Sequence, residues 1–240
     1  MHLEMHLFFC YAVNRGDFMN STGQEYAVII GDIVNSRAMD NRGEVQKRFR
    51  TVLSDINTKY KAYISAEFKI TLGDEFQGLL SDRRNIFRII MEIEDLMQPV
   101  RFRFGIGIGT IDTDINYGDS SEIDGSAYHR ARSMIEQIEQ KEMQYGESQS
   151  NIMICSDDER GEQDMLINSL LTAAFAIKSK WTDRQYEIIR AYEMSGENQY
   201  KTAGILGIAQ STVNRALQSA RFYAYKSAID TVSKVLTKEE

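Results

Sequence analysis

The sequence lacks the features of a membrane, secreted or disordered chain. No apolar run approaches the roughly 18 residues that a spanning helix requires. Leu7 to Val13, the run nearest the start, has only seven residues, with no basic residue before it and no clear cleavage site after it. It therefore does not read as a signal peptide. The two cysteines, Cys10 and Cys155, show no pairing pattern, which argues against a disulfide framework and for a reducing cytoplasm. The three histidines, His2, His6 and His129, make no zinc spacing with them. A single proline, Pro99, beside 42% hydrophobic and 26% charged residues excludes a Pro-rich disordered chain. What remains is a cytoplasmic globular protein with no membrane association, whose 240 residues suffice for one good core and a small second module.

Charge is unevenly distributed. Residues 175–240 hold ten Lys/Arg against seven Asp/Glu, whereas the remainder holds 18 against 28. The formal net charge of −7 thus hides a mildly basic C-terminal part.

Four segments are expected: an extension over 1–20 with Met19 an alternative start, an α/β domain over 21–156, a linker and connecting helix over 157–180, and a helical domain over 181–240. Tyr26–Ile33 reads as a buried strand rich in Val and Ile. Gly43 to Lys59 carries Val45, Phe49, Val52, Leu53 and Ile56 at helical spacing. Phe68–Leu72 and Phe76–Leu80 flank Gly73-Asp74-Glu75 as strand, turn and strand. A helix over Asn85–Leu96, a strand over Val100–Ile111, a helix over Gly125–Gln140 and a strand over Asn151–Cys155 follow. This order predicts an α+β domain, a ferredoxin-like or palm-like antiparallel sheet with helices on one face.

Two acidic turns carry the candidate chemistry. Asp32 stands where the first strand ends, followed by Ile33, Asn35 and Ser36 in a small polar loop before a helix. Loop amides and a helix N-terminus favour anions, while a carboxylate holds a cation. Asp74, between Gly73 and Glu75 at the hairpin turn, is expected to converge with Asp32 on Mg²⁺ and a nucleotide's phosphates. Each segment alone also reads structurally, Asp-Glu as turn chemistry and Asp32 as a helix cap. Tyr128 and Arg132 share a helix face, and Arg132 is placed to reach phosphate charge or to lie on the surface. Gly105, Gly107 and Gly109 bare one face of a strand, so that a helix or ligand can approach closely.

These segments resemble class III nucleotidyl cyclases, whose first-strand acid and hairpin acid bind metal. That resemblance implies a metal role for Asp32 and Asp74, a catalytic role for Arg132 and nucleotide contacts from Ile33, Asn35, Ser36, Gly73, Glu75 and Tyr128. Gly73-Asp74-Glu75-Phe76 is also similar to the diguanylate cyclase turn, with Leu72 in place of a glycine. Two departures weaken turnover: Tyr128 stands where cyclases have a transition-state asparagine, and Ile70 where they have a base-reading residue. The combined motifs Gly31–Ser36, Leu72–Leu80, Arg103–Gly109 and Asp124–Arg132 resemble the SatD family over about residues 24–235. That resemblance implies no particular reaction.

Gln199–Leu206, Gly207-Ile208 and Ser211–Arg221 read as a helix-turn-helix. Ala203 permits close packing, Gly207 supplies a positive φ, and Val213 and Leu217 point inward. Lys201, Gln210, Ser211, Thr212, Asn214, Arg215, Gln218 and Arg221 are the candidate DNA contacts. No acid occurs from Asn198 to Ile229. Thr182 to Gln185 reads as a capping box. Phe222, Tyr225, Ile229, Val232 and Leu236 form a heptad seam that either packs on the chain's own linker helix or pairs two chains in a homodimer. The leading expectation is a regulator with a nucleotide- and magnesium-binding domain coupled to DNA binding. An active cyclase or nucleotidyltransferase and a protein-interaction module with an inactive palm are the alternatives.

Overall fold

The computed structural model describes residues 24–36, 39, 41–71 and 73–237. The expected extension over 1–20 lies outside them. The chain divides into two compact units, Met1–Asn168 and Ser169–Glu240.

In the first unit five strands, β1 (Tyr26–Ile33), β2 (Ile64–Ile70), β3 (Glu75–Leu80), β4 (Phe102–Gly109) and β5 (Ile152–Cys155), form one sheet in the order β2-β3-β1-β4-β5. The first four are antiparallel neighbours in the ferredoxin-like order. β5 joins β4 in parallel, so the expected antiparallel sheet is in fact mixed. β1 is central because its Val/Ile run is buried from both sides, with Ala27, Val28, Ile29 and Ile30 fully covered. Each such buried aliphatic side chain contributes about 1.5–3 kcal/mol before entropy is counted.

The helices α1 (Arg42–Lys59), α2 (Ile86–Met97) and α3 (Ser126–Tyr145) do not share one face as expected. One face of the sheet meets Phe49 of α1, whose ring lies 5.1 Å from Phe76 and 5.4 Å from Phe102. α2 lies against α1 and buries Ile86, Ile89, Ile90 and Ile93. The other face is covered by α3, with Val28, Ile30 and Leu79 packed on Ala127, Tyr128, Ala131 and Ile135. The reason is the glycine line of β4. A Cβ on Gly107 would stand 1.9 Å from the Ala127 carbonyl oxygen, and one on Gly105 2.1 Å from that of Ala131. Without side chains there, the helix backbone seats directly on the strand.

Both edge strands are blunted in the same way. On α1, Asn57 accepts from the Phe68 amide at 2.8 Å and donates to its carbonyl at 3.0 Å. On α4 (Gly161–Lys178), Asn168 does the same to Ile154, both contacts at 2.8 Å. Each carboxamide completes one rung of the ladder on an edge that would otherwise template another strand.

The second unit contains α5 (Asp183–Met194), α6 (Gln199–Leu206), α7 (Gln210–Ser219) and α8 (Phe222–Thr237); the division between the units falls within α4. Thr182 and Gln185 form the expected capping box on α5. α6 ends at Gly207 with φ 62°, the left-handed conformation that lets α7 turn back. Val213 and Leu217 are completely buried. The expected helix through Arg221 stops at Ser219, because Arg221 takes φ 51° and starts α8 in a new direction. Phe222, Tyr225, Ile229, Val232 and Leu236 are all buried within the chain, with Trp181 and Tyr192 against the first two. The seam thus packs inside the chain.

Candidate functional site

Sheet register builds a row of charge on the α3 face. Glu75 of β3, Asp32 of β1 and Arg103 of β4 are direct partners across three strands. Side chains on directly paired residues point to the same side, so two acids sit next to each other. Like charges so placed repel, and each acid is answered by an arginine. Arg132 on α3 grips Glu75 through its two terminal guanidinium nitrogens, at 3.1 and 3.0 Å. Arg103 places Nη1 2.7 Å from Asp32 Oδ2. The rest of its fork reaches Glu142 of α3, Nε at 3.0 Å and Nη2 at 2.8 Å, and Glu139 lies 3.5 Å from Nη1.

The row is screened from water in its middle, with 14% of the Arg103 side chain and 19% of Asp32 exposed. Burial raises the Asp32 carboxyl to about 6 against the pull of Arg103, and the charges of Asp74 and Glu139 push it the same way. Asp74 itself is tied to the loop that follows β1. Its main-chain carbonyl accepts from the Ile33 amide at 3.3 Å, and its carboxylate accepts from the Ser36 hydroxyl.

The other expected contacts fall differently. Ile33 is buried and its amide serves Asp74; the neighbouring Val34 amide serves the Arg101 carbonyl at 2.9 Å. The amides at the start of the loop are therefore engaged inside the protein. Asn35 is exposed at φ 57°, and Ser36 is buried. Gly73 is exposed at φ 65°, its carbonyl accepting from Gln46 at 2.9 Å. Tyr128, expected at a nucleotide, is buried at 6% exposure in the core between α3 and the sheet, and its hydroxyl has no partner in the protein. Its pKa is raised by burial. Arg132 is half exposed and spends its fork on Glu75.

The donor types suit magnesium, which takes one or two carboxylates and leaves its other positions to water and phosphate oxygens. The arrangement does not fit it, because Asp32 already holds a guanidinium. Nor, among the described residues, do three or more His, Cys, Asp or Glu side chains gather around a point that could hold a metal.

Arg103, Glu139 and Glu142 were not among the candidates from the sequence. Arg103 precedes Gly105 by two, so period-two alternation puts it on the glycine face that receives α3. Glu139 and Glu142 continue the helical spacing from Arg132, but an expected end at Gln140 excluded Glu142 from that helix.

In the second unit, Ser211, Arg215 and Gln218 are exposed on α7, and Thr212 is half-buried. Gln210 and Asn214 are half-buried and tied to Gln199 of α6, whose amide oxygen accepts from Gln210 and whose amide nitrogen donates to Asn214 at 3.5 Å. Lys201 is exposed on α6, while Arg221 sits at the bend after α7.

The model of the SatD family matches residues 26–236. The chain belongs to the SatD family. This membership spans the carboxylate row and α5 to α8 alike, as the motif resemblance implied. Among solved structures, this SatD-family chain is similar to a bacterial light-regulated adenylyl cyclase at 13% identity, covering 66% of this chain and 81% of that one with a TM-score of 0.41. The catalytic core of a rhodopsin-guanylyl cyclase with converted specificity, in complex with ATPαS, matches at 15% identity over 59% and 81%, TM-score 0.38. A regulator of polyketide synthase expression from Bifidobacterium adolescentis matches at 12% identity over 89% and 87%, TM-score 0.27. Likeness at this level carries no argument about activity. No curated protein matches the chain. Among the described residues no helix is long and apolar enough to cross a membrane.

Proposed function

We propose that this SatD-family chain is a DNA-binding regulator, with α6 and α7 as a helix-turn-helix and the first unit as its ligand-responsive domain. One observation carries the reading. Exposed Ser211, Arg215 and Gln218 share one face of α7 at spacings of four and three, above the fully buried Val213 and Leu217. The surrounding stretch from Asn198 to Ile229 holds no acid, so little in it repels phosphate. An amphipathic helix so placed after a tight turn suits the major groove.

The ligand for the first unit is a nucleotide, whose phosphates Arg132 would meet once that side chain turns from Glu75. The paired arginines and the buried Tyr128 favour binding over turnover. Exposed Tyr200 and Ile205 on α6, at 78% and 66%, favour a second reading in which this helix meets a protein partner.

The deciding experiment is an anisotropy titration of the full-length protein against a mixed-sequence duplex at several salt concentrations. The expected result is affinity that falls steeply with salt as counterions are released on binding. Folded protein with no salt-dependent binding would leave the protein-partner reading in its place.

A further inference from the structure

We propose that Gln199, at the first position of α6, sets the sequence preference of the α7 face by holding Gln210 where it reads an adenine in the major groove. The inference rests on the DNA reading of α6 and α7, and adds which base is read and what orients the group that reads it.

Three observations carry it. First, three helices converge on one carboxamide. The Gln199 amide oxygen accepts from Gln210 Nε2 of α7, and its nitrogen donates to Tyr223 Oη of α8 at 3.2 Å and to Asn214 Oδ1 of α7 at 3.5 Å. Gln199 is half-buried, and the turn it opens is fixed by Asn198, whose side chain accepts from the Tyr200 and Lys201 amides at 3.0 Å each. Second, Gln210 and Asn214 stand one turn apart at the rim of the exposed face made by Ser211, Arg215 and Gln218. Gln210 is the first residue of α7, and the N-terminal end of a recognition helix is the part that meets base edges. Third, the contact leaves Gln210 half open. It uses one of the two N–H groups, while the other N–H and the amide oxygen have no partner among the described residues. One donor and one acceptor on a single amide edge match N7 and N6 of adenine, whereas guanine offers two acceptors there. A glutamine already held by its neighbour has less rotamer freedom to lose when it meets the base. Gln199 is thus a positioning residue, acting through Gln210.

The test is selection by full-length protein from a pool of duplexes randomised over one helical turn, followed by competition titrations of the selected sequence and its single-base variants. Native protein is expected to favour A·T at one position by about ten- to a hundredfold, and Gln210→Ala to identify that position by losing the preference. Gln199→Met, which keeps the length and removes the amide, should lower the preference there by about three- to tenfold, with the salt slope and the affinity for unselected duplexes unchanged. A loss of affinity equal for all duplexes would make Gln199 a structural residue and overturn the inference. An unchanged preference in Gln199→Met, or another base at the Gln210 position, overturns it as well. Native binding with no sequence preference overturns it and leaves the DNA reading standing, whereas absence of DNA binding removes both. Should the methionine variant not fold, Gln199→Glu decides, because it still accepts from Gln210 and no longer donates to Asn214 or Tyr223. Its added charge should weaken all duplexes together while the adenine preference is kept. Loss of that preference in the glutamate variant sinks the inference.

Discussion

Asp32 and Arg103 face each other across β1 and β4 with 2.7 Å between carboxylate and guanidinium, yet burial still holds the acid near 6 rather than its ordinary 3.8. The pair therefore does not offset the full desolvation of its acid. This is the usual position of a screened ion pair, retained for what it specifies more than for stability.

That imbalance has a defined pH signature. Between 3.8 and about 6 the folded state holds a proton on Asp32 that the unfolded chain has lost, so stability from this group falls as pH rises through that window. It is fully present below the window and stays lost above it. Asp32→Asn removes the slope. The variant should exceed native stability near neutral pH by at most about 3 kcal/mol, at about 1.36 kcal/mol per pH unit, less what solvent screening removes. Urea melts should show the gap closing below about pH 4; a gap independent of pH would refute the assignment.

Tyr128 offers a cleaner substitution. Its hydroxyl is buried without a protein partner among Val28, Ile30 and Leu79. Tyr128→Phe should leave the fold intact and raise stability by about 1 kcal/mol, because an unsatisfied buried polar group costs about that or more. Thermal unfolding decides; a loss of stability would mean that the hydroxyl is satisfied in solution.

Two glycines should respond oppositely to alanine. At Gly107 the new methyl would strike the α3 backbone at 1.9 Å, and overpacking against a main chain costs about 1–3 kcal/mol or more. Gly204, inside α6, has nothing within 4 Å of an added Cβ. There the substitution should stabilise by about 0.5–1 kcal/mol through backbone entropy. Paired chemical denaturation of the two variants checks both signs.

On the DNA side, position along the chain is a poor guide to which cations matter. Arg215 is exposed on α7, and Arg215→Ala should weaken duplex binding by about 1–3 kcal/mol and flatten its salt slope. Lys226 is held by Glu197 at 3.0 Å and Asp230 at 3.3 Å. Its charge is already met, so Lys226→Ala should leave affinity almost unchanged in the same titration. Equal losses from both variants would argue for diffuse electrostatics in place of a directed helix.

What the sequence determined by itself was local. The Val/Ile run of β1, the 3–4 spacing of Phe49, Val52, Leu53 and Ile56, the Thr182–Gln185 cap and the left-handed Gly207 follow from backbone and periodicity rules that act within a few residues. The ferredoxin-like strand order followed from the succession of those elements. Tertiary structure alone decided which side chains meet. That β4 stands beside β1 in the register placing Arg103 on Asp32 depends on residues 71 positions apart, and no period reveals it. The same holds for Tyr128, which shares a helix face with Arg132 yet lies beneath α3 in the core, because the bare glycines of β4 draw the helix down onto the sheet. Periodicity names a face; only packing says whether that face meets solvent, a ligand or the core.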